Sequence, residues 1–521
     1  MTTLPRAPLG ARKLVILNLV LGIGHFLVLF NTGAYLPMIP YAAAALGHAV
    51  PFGDWTQANF FMAMAFAFPI APRLAARFGE VHVVVAAFLA FAAASAVCAS
   101  TGHFVTFLAA RGLQGFAGGV TIPISYSAIL RHYRPDQRNI GLILWGIAAL
   151  MPFTLGPTLG GILIHVFGWR ALFVLNVPLA VLVAIFCTVV LFQRETARVA
   201  ERLDGVGFVL LAIGLIGALW AFDIAEVGDF WRSPRVGTLG LTSLCALALF
   251  IAWEWDHPAP FIDLRFFRRR NFAVGGFGLF ATALLFQGLM AIYVVQSEVA
   301  LGYTALWVGF LILPMAIFSK LASILTHRWM TRIDPRWLGS AALSGMAFSC
   351  WLVASYNRSA SFDALLWPQV LAGVFVGALF PPFAAIALSG LRGPAELRAG
   401  SILNLLRVSG QALGIPVFAV LWEVRRTVAR HFVSASDGLA RLHIAVVTQA
   451  LARHGMDQAA AAGVIAHAFG KAADLMALGE VFHIATWAFL GLAALCLTAQ
   501  PVVFAEPDAP LRLGAQELIE P

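Results

Sequence analysis

The chain has 521 residues, of which 60% are hydrophobic and 11% are charged. Soluble domains carry roughly 25% charged residues, so this composition excludes a globular soluble protein and indicates a membrane protein with many spans. The net charge of +9 does not indicate nucleic-acid binding, because the arginines fall in short segments between apolar stretches. The five cysteines lie in apolar stretches without metal-ligand or disulfide spacing, so neither a metal site nor a disulfide framework is expected.

A helix that crosses the hydrocarbon core of a membrane needs about 20 mostly apolar residues. By this criterion the sequence predicts an all-α membrane protein. Fourteen transmembrane spans are predicted, at 14–44, 55–72, 82–100, 104–129, 139–166, 171–192, 205–223, 237–254, 273–297, 304–325, 337–356, 366–389, 400–423 and 481–500. Pro37 and Pro40 predict a bend near the end of the first span, because proline interrupts helical hydrogen bonding.

Arginines are concentrated in alternate connections between these spans, and the segment before the first span is also basic. Basic loops stay in the cytoplasm, so both chain termini are expected to be cytoplasmic. The segment 424–480 is also arginine-rich, but a long loop translocates regardless of its charge. Alanine-rich stretches at 438–454 and 457–476 predict helices there, with a start at Asp457. This segment is expected to be either a cap over the bundle or a docking surface for a partner.

Gly156, Pro157, Gly160 and Gly161 form a dense run of helix-breaking residues within the fifth predicted span. In a membrane such residues are tolerated, because neighbouring helices satisfy the backbone groups that they free. Gly156 and Gly160 are four residues apart and share one helix face, which allows another helix to approach closely.

The glycine run and the sequence GWRALFVLNVP at 168–178 resemble the fifth-helix antiporter motif of drug exporters in the major facilitator superfamily. The likeness is to its fourteen-helix EmrB/QacA-type branch, and to the EmrB type in particular. Further motifs of that branch are similar, in the family's order, to RGLQG at 111–115, LAARFGEV at 74–81, PFIDLRFF at 260–267, GYTA at 302–305 and NLLR at 404–407. The resemblance extends from about residue 14 to residue 500.

The resemblance implies a major facilitator fold with two six-helix bundles and two extra central helices. It implies a cytoplasmic N-terminus at 1–13, bundles at 14–192 and 273–500, extra helices at 205–254, a periplasmic loop region at 424–480 and a cytoplasmic tail at 501–521. The implied protein is not an enzyme but a multidrug exporter of the bacterial inner membrane. It would move lipophilic compounds by alternating access, driven by inward proton flow, and would confer antibiotic resistance.

Several members of the EmrB type work with a periplasmic adaptor protein and an outer-membrane channel, which are therefore expected partners. A lipophilic small molecule and protons are the expected ligands, and neither a cofactor, a metal ion nor a nucleic acid is expected. No phosphate-binding loop of the G-x4-G-K-S/T type occurs, so the sequence contains no ATP motor of that kind.

One departure from the family pattern concerns the proton. The first-helix motif of the family has an aspartate nine residues before a proline, and alignment on Pro40 places Asn31 there. An asparagine amide does not take up and release a proton at physiological pH, so coupling must use another group. A facilitator or differently coupled transporter of the same fold therefore stays open, as does a non-transporting membrane scaffold or sensor. A lipid-modifying enzyme would need a catalytic cluster near one interface, and the sequence indicates none.

A second departure concerns the inner gate, which Arg73, Arg77 and Gly79 are expected to form. The usual acidic residue of this loop is replaced by Ala76 and its leading glycine by Pro72. The charge network of the inner gate is therefore expected to be weakened.

Ionisable groups at membrane depth cost roughly 2.5–3.5 kcal/mol, so each is a functional candidate. The proton-coupling candidates are Glu298 in the ninth span, His25 in the first and Arg111 in the fourth. The alternatives are a solvated carboxylate, a neutral histidine hydrogen-bonded inside the bundle and an arginine that clamps backbone carbonyls. Asp223, at the end of the seventh span, is expected to order a loop outside the transport core.

A pocket for a bulky lipophilic substrate is expected to combine aromatic walls with a few polar groups. Asn404, Arg407 and Gln411 lie a turn apart on one helix face and form a polar stripe. The substrate-pocket candidates are Gln114, Tyr126, Trp145, Gln287, Tyr293, Phe380, Asn404, Arg407 and Gln411.

Overall fold

A computed structural model describes residues 10–134, 137–191, 196, 198, 204–227, 233–355, 362–435 and 457–502, and these ranges contain helices and no strand. The helices are α1 Ala11–Ala34, α2 Ile39–Ala45, α3 Val50–Phe78, α4 Glu80–Ser100, α5 Phe104–His132, α6 Arg138–Phe167, α7 Ala171–Val190, α8 Gly205–Val227, α9 Pro234–Asp256, α10 Arg270–Val299, α11 Ala305–Trp329, α12 Pro335–Ala354, α13 Phe362–Val376, α14 Pro381–Leu388, α15 Pro394–Ala435 and α16 Gln458–Leu497. Short 3-10 helices occupy Leu36–Met38 and Leu264–Arg268.

The predicted all-α membrane fold is confirmed. Within the described residues, 13 stretches are long and apolar enough to cross a membrane, and the 30-residue α6 occupies the remaining predicted span. Helices α13 and α14 belong to one such stretch, Leu365–Leu388, which is broken at 377–380 ahead of Pro381.

The first predicted span is not one helix. Helix α1 ends at Ala34, and the 3-10 helix Leu36–Met38 and the short α2 follow it. Pro37 and Pro40 supply no N–H group to a continuing helix, so the interruption falls where the sequence predicts a bend.

The helix that contains the last predicted span, 481–500, is longer than that span. Helix α16 begins at Gln458, and the Asp457 Oδ1 accepts a hydrogen bond of 2.6 Å from the Ala460 N–H, as an N-cap does. The predicted helix 457–476 therefore runs into the membrane span without a break, because its alanine-rich sequence favours helix throughout. Helix α15 likewise continues to Ala435, and the predicted helix 438–454 lies outside the described residues.

The helices form two halves and a separate pair. In the first half α1 packs on α6 and α7, and α5 packs on α3 and α4, whereas in the second half α10 packs on α15 and α12 on α16. The halves meet where α3 packs on α15 and where α6 packs on α11. Helices α8 and α9 pack on each other, and α8 also contacts α3 and α15. The extra pair thus touches both halves through α8.

Both described ends of the chain lie at one end of the bundle, which we call the terminal end. Tyr133, which follows α5, donates a hydrogen bond to the Leu14 carbonyl of α1, and Arg336 at the start of α12 donates to the Ala499 carbonyl at 3.0 Å. The other end, where α3 and α11 begin and α6 and α8 finish, we call the opposite end.

Candidate functional site

The glycine face of α6 lies directly against α1 near the opposite end. A Cβ atom on Gly156 would lie 2.7 Å from the Cα of Gly33, and a Cβ on Gly160 would overlap the Ala34 carbonyl oxygen. Because the overlapping atoms belong to the backbone, they have no rotamer by which to move away. Glycine is therefore required at both positions for this helix contact.

The same helix also joins the two halves through α11. A Cβ on Gly161 would overlap the Ala305 carbonyl oxygen, and one on Gly309 would lie 2.9 Å from the Cα of Thr158. The Thr158 hydroxyl donates a hydrogen bond of 2.7 Å to the Gly309 carbonyl, and Pro157 lies alongside. We call these contacts between α6 and α11 the half-to-half junction. They combine close packing with a direct hydrogen bond.

Asn31 is held in a reciprocal amide pair with Asn176 of α7. The Asn31 Nδ2 donates to the Asn176 Oδ1 at 3.1 Å, and the Asn176 Nδ2 donates to the Asn31 Oδ1 at 2.9 Å. Both side chains are completely buried, and Asn31 also donates to the Leu27 carbonyl at 2.8 Å. The position that carries an aspartate in the resembling family therefore holds a neutral clamp between α1 and α7.

Arg111 is enclosed by amide groups of the first half. Its Nη1 donates to the Gln114 Oε1 at 2.6 Å and its Nη2 to the Gln57 Oε1 at 2.5 Å, while the Gln114 Nε2 donates to the Ser95 hydroxyl at 2.8 Å. Arg111 and Gln114 are fully buried, so neither lines an open pocket in this structure. The two residues instead form part of a buried polar network that fixes α3, α4 and α5 together.

Three aromatic rings complete the enclosure of Arg111. Its guanidinium carbon lies 4.4 Å from the ring centre of Tyr35, 4.3 Å from Phe60 and 5.7 Å from Phe173. Cation–π contacts of this kind stabilise a desolvated guanidinium. None of the described carboxylates forms an ion pair with Arg111, so its charge is balanced by dipoles and rings.

His25 lies buried at the middle of α1. Its ring centre lies 4.1 Å from that of Trp145 in α6, and Trp145 in turn contacts Tyr126 of α5 edge-on at 6.0 Å. We call His25, Trp145 and Tyr126 the aromatic row. The His25 Nδ1 is buried and has no hydrogen-bond partner among the described residues, and its ring lies within the electrostatic influence of Arg407.

Arg407 of α15 carries a positive charge near the aromatic row. Its Nη2 donates to the Asn404 Oδ1 at 3.3 Å, and Asn404 donates to the Gly400 carbonyl at 3.1 Å. Arg407 remains partly exposed, and no carboxylate of the described ranges pairs with it. A guanidinium of this kind retains donors for a further polar or anionic group.

Other pocket candidates lie inside the second half. Gln287 of α10 is 1% exposed, and neither its Oε1 nor its Nε2 has a partner in the described part of the chain. Phe380, at the break between α13 and α14, contacts Phe286 of α10 edge-on at 6.1 Å. Tyr293 packs on Phe482 of α16 at 6.0 Å, away from the aromatic row. Gln411, one turn beyond Arg407 on α15, is buried.

Glu298 lies in the last turn of α10 at the opposite end. Both of its carboxylate oxygens are buried, and neither has a hydrogen-bond partner among the described residues. Tyr41 of α2 lies within electrostatic range of Glu298. The alternative of a freely solvated carboxylate therefore does not describe its environment.

The structure adds a group of acids that the sequence reasoning missed. Asp54 of α3 approaches Asp223 and Glu226 of α8 closely enough for their charges to interact. Asp223 was expected only to order a loop, yet it is 1% exposed and inside the protein. The available signal was the spacing of Asp223 and Glu226, which places two acids on one face of an apolar helix.

Arg73 ties the first half to the segment that precedes α10 at the terminal end. Its Nη2 donates to the carbonyl oxygens of Pro260 and Phe261 at 3.0 and 3.2 Å. Arg77 is exposed and lies 5.4 Å from the ring of Phe78. Gly79 adopts a φ of +96°, a conformation that favours glycine and reverses the chain between α3 and α4.

The weakened charge network of the inner gate stays a prediction, but Glu80 supplies one ion pair at this end. Its Oε1 accepts hydrogen bonds from the Arg131 Nη2 at 2.8 Å and the Ser127 hydroxyl at 2.6 Å. The carboxylate four residues after Ala76 thus supplies an ion pair between α4 and α5. A cavity of about 400 Å³, lined in part by Pro72 and Ala76, opens beside it.

Comparisons with known proteins agree with this architecture. The family model of the Major Facilitator Superfamily matches residues 21–415. The chain is 30% identical over 499 residues to the fatty acid resistance protein FarB of Neisseria gonorrhoeae, covering 95% of this chain and 97% of that protein. It is 28% identical over 495 residues to the multidrug export protein EmrB of Escherichia coli (strain K12), with the same coverage of 95% and 97%.

Solved structures show the same fold. A bacterial homolog of the human lysosomal transporter Spinster, in an inward-facing and unoccupied conformation, matches with a TM-score of 0.59 and 15% identity over 94% of this chain and 98% of that one. A peptide transporter in complex with sulfate matches with a TM-score of 0.60 and 14% identity over 95% of both chains. The protein is a membrane transporter and not an enzyme, and the chain belongs to the Major Facilitator Superfamily.

Proposed function

We propose that the protein exports lipophilic compounds across the bacterial inner membrane by alternating access, driven by inward proton flow. The observation that carries this proposal is the glycine face of α6, which lies in direct backbone contact with α1 and α11. Close, nearly rigid contacts of this kind suit two halves that rock against each other. The names of FarB, a fatty acid resistance protein, and EmrB, a multidrug export protein, favour efflux.

The proposed cycle uses the two ends of the bundle as gates. The half-to-half junction closes the opposite end, and the contacts of Arg73 with the carbonyls of Pro260 and Phe261 belong to the gate at the terminal end. The concentration of arginines favours a cytoplasmic location for the terminal end, and with it for both chain termini. The opposite end then faces the periplasm.

The proposed substrate pocket lies between the aromatic row and Arg407. His25, Trp145 and Tyr126 supply an aromatic wall from the first half, and Arg407 with Asn404 supplies polar donors from the second. A wall of rings facing one guanidinium favours a lipophilic substrate with an acidic or polar group.

The proposed proton carriers are buried side chains away from the first-helix motif position. Asn31 has no exchangeable charge and is clamped by Asn176, whereas Glu298 and His25 have buried groups without partners among the described residues. Arg111, being enclosed, would act by positioning α3, α4 and α5. The Asn31–Asn176 pair also favours a second candidate, a facilitator without proton coupling.

A periplasmic adaptor protein and an outer-membrane channel are the proposed partners. Their proposed docking site is the segment 424–480, which includes the end of α15 and the start of α16. Deletion of 436–456 should leave the purified transporter monodisperse but prevent its co-purification with a co-expressed periplasmic adaptor protein. Unchanged co-purification would leave this segment as a cap.

Transport into everted membrane vesicles tests the proposed function. Two fluorescent dyes serve as probes: anilinonaphthalene sulfonate, a lipophilic anion, and ethidium, a lipophilic cation. We expect accumulation of at least one dye, lost when an ionophore collapses an imposed pH gradient. Accumulation that ignores the gradient would favour the facilitator, and equal accumulation in vesicles without the protein would refute export.

Two variants assign the carrier among the sequence-derived candidates. Glu298→Gln should shift the pH dependence of transport if Glu298 carries protons, and His25→Asn should abolish gradient-driven accumulation if His25 does. The exposed Asp363→Asn in α13 is a matched control that neutralises an acid outside the interior. A profile identical to that of the control would remove the tested residue from the mechanism.

A further inference from the structure

The segment between α9 and α10 is bound from two sides at the terminal end. On one side, Glu254 of α9 accepts hydrogen bonds from two backbone N–H groups, its Oε1 from Phe261 at 3.0 Å and its Oε2 from Ile262 at 3.4 Å. On the other side, Arg73 of α3 donates to the carbonyl oxygens of Pro260 and Phe261 at 3.0 and 3.2 Å. We call Glu254, Arg73 and the backbone between them the linker clamp.

The two charges of the linker clamp meet at the same peptide groups. A peptide group joins the C=O of one residue to the N–H of the next. The Pro260 carbonyl and the Phe261 N–H therefore belong to one group, and the Phe261 carbonyl and the Ile262 N–H belong to the following one. Each group binds the Arg73 guanidinium through its oxygen and the Glu254 carboxylate through its hydrogen. Hydrogen bonds in such a chain polarise and strengthen one another.

The extra helix pair encloses the linker clamp. Glu254 is 2% exposed and Phe261 is 3% exposed. A Cβ atom on Gly207 of α8 would overlap the Glu254 Oε1, so α8 lies directly against the carboxylate. The Phe261 ring centre lies 5.0 Å from the guanidinium carbon of Arg73 and 5.5 Å from the ring of Phe208 in α8. Charges interact more strongly in such a poorly hydrated place than at an exposed surface.

Helices α8 and α9 are also joined to each other at this end. The Trp253 Nε1 of α9 donates to the Asp204 Oδ2 at 3.0 Å, and the Asp204 Oδ1 accepts from the Gly207 N–H at 3.0 Å in the first turn of α8. Phe208 of α8 then contacts Phe66 of α3 edge-on at 5.9 Å. The extra pair thus reaches α3 in two ways, by this ring contact and by the linker clamp.

We propose that Glu254 is a positioning residue of the gate at the terminal end, and that the extra helix pair acts on transport through it. The inference rests on the proposed function, which assigns the contacts of Arg73 to that gate. Glu254 holds two consecutive peptide groups with their oxygens towards Arg73, so α3 closes on acceptors that are already oriented. Without this carboxylate, two buried N–H groups lose their partners, and the segment must rearrange to satisfy them.

Distances between spin labels at the terminal end test this positioning role. Ile140 near the start of α6 and Leu397 near the start of α15 are 58% and 61% exposed, so each half accepts one label. Pulsed electron–electron double resonance on the full-length protein in detergent gives the populations with a short or a long distance between the labels. Glu254→Ala should raise the ratio of the long-distance to the short-distance population at least about fivefold. An unchanged ratio would overturn the proposal.

Two further variants separate lost positioning from a general disturbance of the segment. Glu254→Gln keeps one acceptor oxygen, which serves the Phe261 N–H but not the Ile262 N–H, so its shift should be smaller than that of Glu254→Ala but still present. It replaces Glu254→Ala if that variant does not elute as a monodisperse protein. Asp263→Ala removes a carboxylate that accepts from the Arg265 N–H at 3.2 Å within the same segment, and should leave the ratio unchanged. A shift as large in Asp263→Ala as in the Glu254 variants would refute the positioning role.

A double-mutant cycle tests whether Glu254 acts through Arg73. If it does, Arg73→Ala and Glu254→Ala remove the same gate contact, so the shift in the double variant should equal that in Arg73→Ala alone. Independent effects would multiply the two changes in the ratio, and that outcome would show that Glu254 does not position the partner of Arg73.

Dye accumulation in everted vesicles separates this inference from the proposed function. Glu254→Ala should lower gradient-driven accumulation, whereas Asp263→Ala should match the wild type. Accumulation at the wild-type level in Glu254→Ala would contradict a role of the linker clamp in transport. A wild type that accumulates no more dye than vesicles without the protein would instead contradict the proposed function, and the label distances would then decide whether Glu254 positions the gate.

Discussion

Replacement of Thr158 by valine should weaken the half-to-half junction. The Thr158 hydroxyl donates a 2.7 Å hydrogen bond to the Gly309 carbonyl, and valine preserves the branched shape without the donor. A typical intramolecular hydrogen bond contributes about 0.5–1.5 kcal/mol net. Because this bond joins the two halves, its loss destabilises the closed opposite end and not the fold of either half. The equilibrium should shift towards the open opposite end by roughly two- to twelvefold.

Distances between spin labels measure this shift. Val166 at the end of α6 and Trp307 at the start of α11 are 60% and 51% exposed, so both accept a label at the opposite end. Pulsed electron–electron double resonance on the labelled protein gives the populations in which the two labels lie at a short or a long distance. In Thr158→Val, the population with the long separation should increase.

Thr121→Val is the matched control for this prediction. The Thr121 hydroxyl donates to the Gly118 carbonyl at 2.7 Å within α5, so its loss removes a hydrogen bond of the same length from one half only. Its distance distribution should match that of the labelled parent protein. Equal distributions in Thr158→Val and Thr121→Val would refute the assignment of the junction as a conformational contact.

Two further predictions concern packing and pH. Gly160→Ala should reduce export at least tenfold in vesicle assays, because the added Cβ would overlap the Ala34 carbonyl oxygen. Overpacking of this kind costs about 1–3 kcal/mol. As a control, a Cβ at Gly237 of α9 meets open space, so the Gly237→Ala variant should export normally. Asp334→Ala should lower stability at neutral pH by about 1 kcal/mol, since Asp334 caps α12. Partial burial raises the pKa of Asp334, but hydrogen bonds from Arg336 outweigh it and lower the pKa overall. The difference in thermal stability between the wild type and Asp334→Ala should thus be complete above the ordinary carboxyl pKa and disappear as the pH falls through the lowered pKa. A difference that grows in acid would contradict this assignment.

Apolar windows in the sequence locate the membrane-spanning stretches, but neither the breaks within them nor the ends of the helices. Apolar windows identify the residues that suit lipid, so they place α15 at 400–423, whereas its backbone hydrogen bonding continues from Pro394 to Ala435. Hydropathy contains no information on where a helix ends in water. Capping residues do contain that information. The predicted start at Asp457 is accurate because its side chain accepts a hydrogen bond from the Ala460 N–H in the first turn.

The site is less predictable because its chemistry depends on partners distant in the chain. Asn31 was identified from its spacing to Pro40, but its clamp on Asn176 spans 145 residues and follows from the packing of α1 on α7. By polarity alone Gln114 is a reasonable pocket residue. In the structure its amide accepts a hydrogen bond from Arg111 and donates one to Ser95, so it is not available to a substrate. The approach of Asp54 to α8 likewise depends on the docking of the extra helix pair.

The length of α15 and α16 has a mechanical consequence. At 42 and 40 residues each helix is about 60 Å long, roughly twice the thickness of the hydrocarbon core. Arg426 of α15 pairs with Asp474 of α16 at 2.5 Å, which fastens the two helices to each other. Helix α15 also packs on α3 and α10 of the bundle. If α15 tilts by about 5° within the membrane, its end about 30 Å beyond the pivot moves by about 2.6 Å. If the two halves rock as proposed, α15 and α16 would therefore carry this displacement beyond the hydrocarbon core.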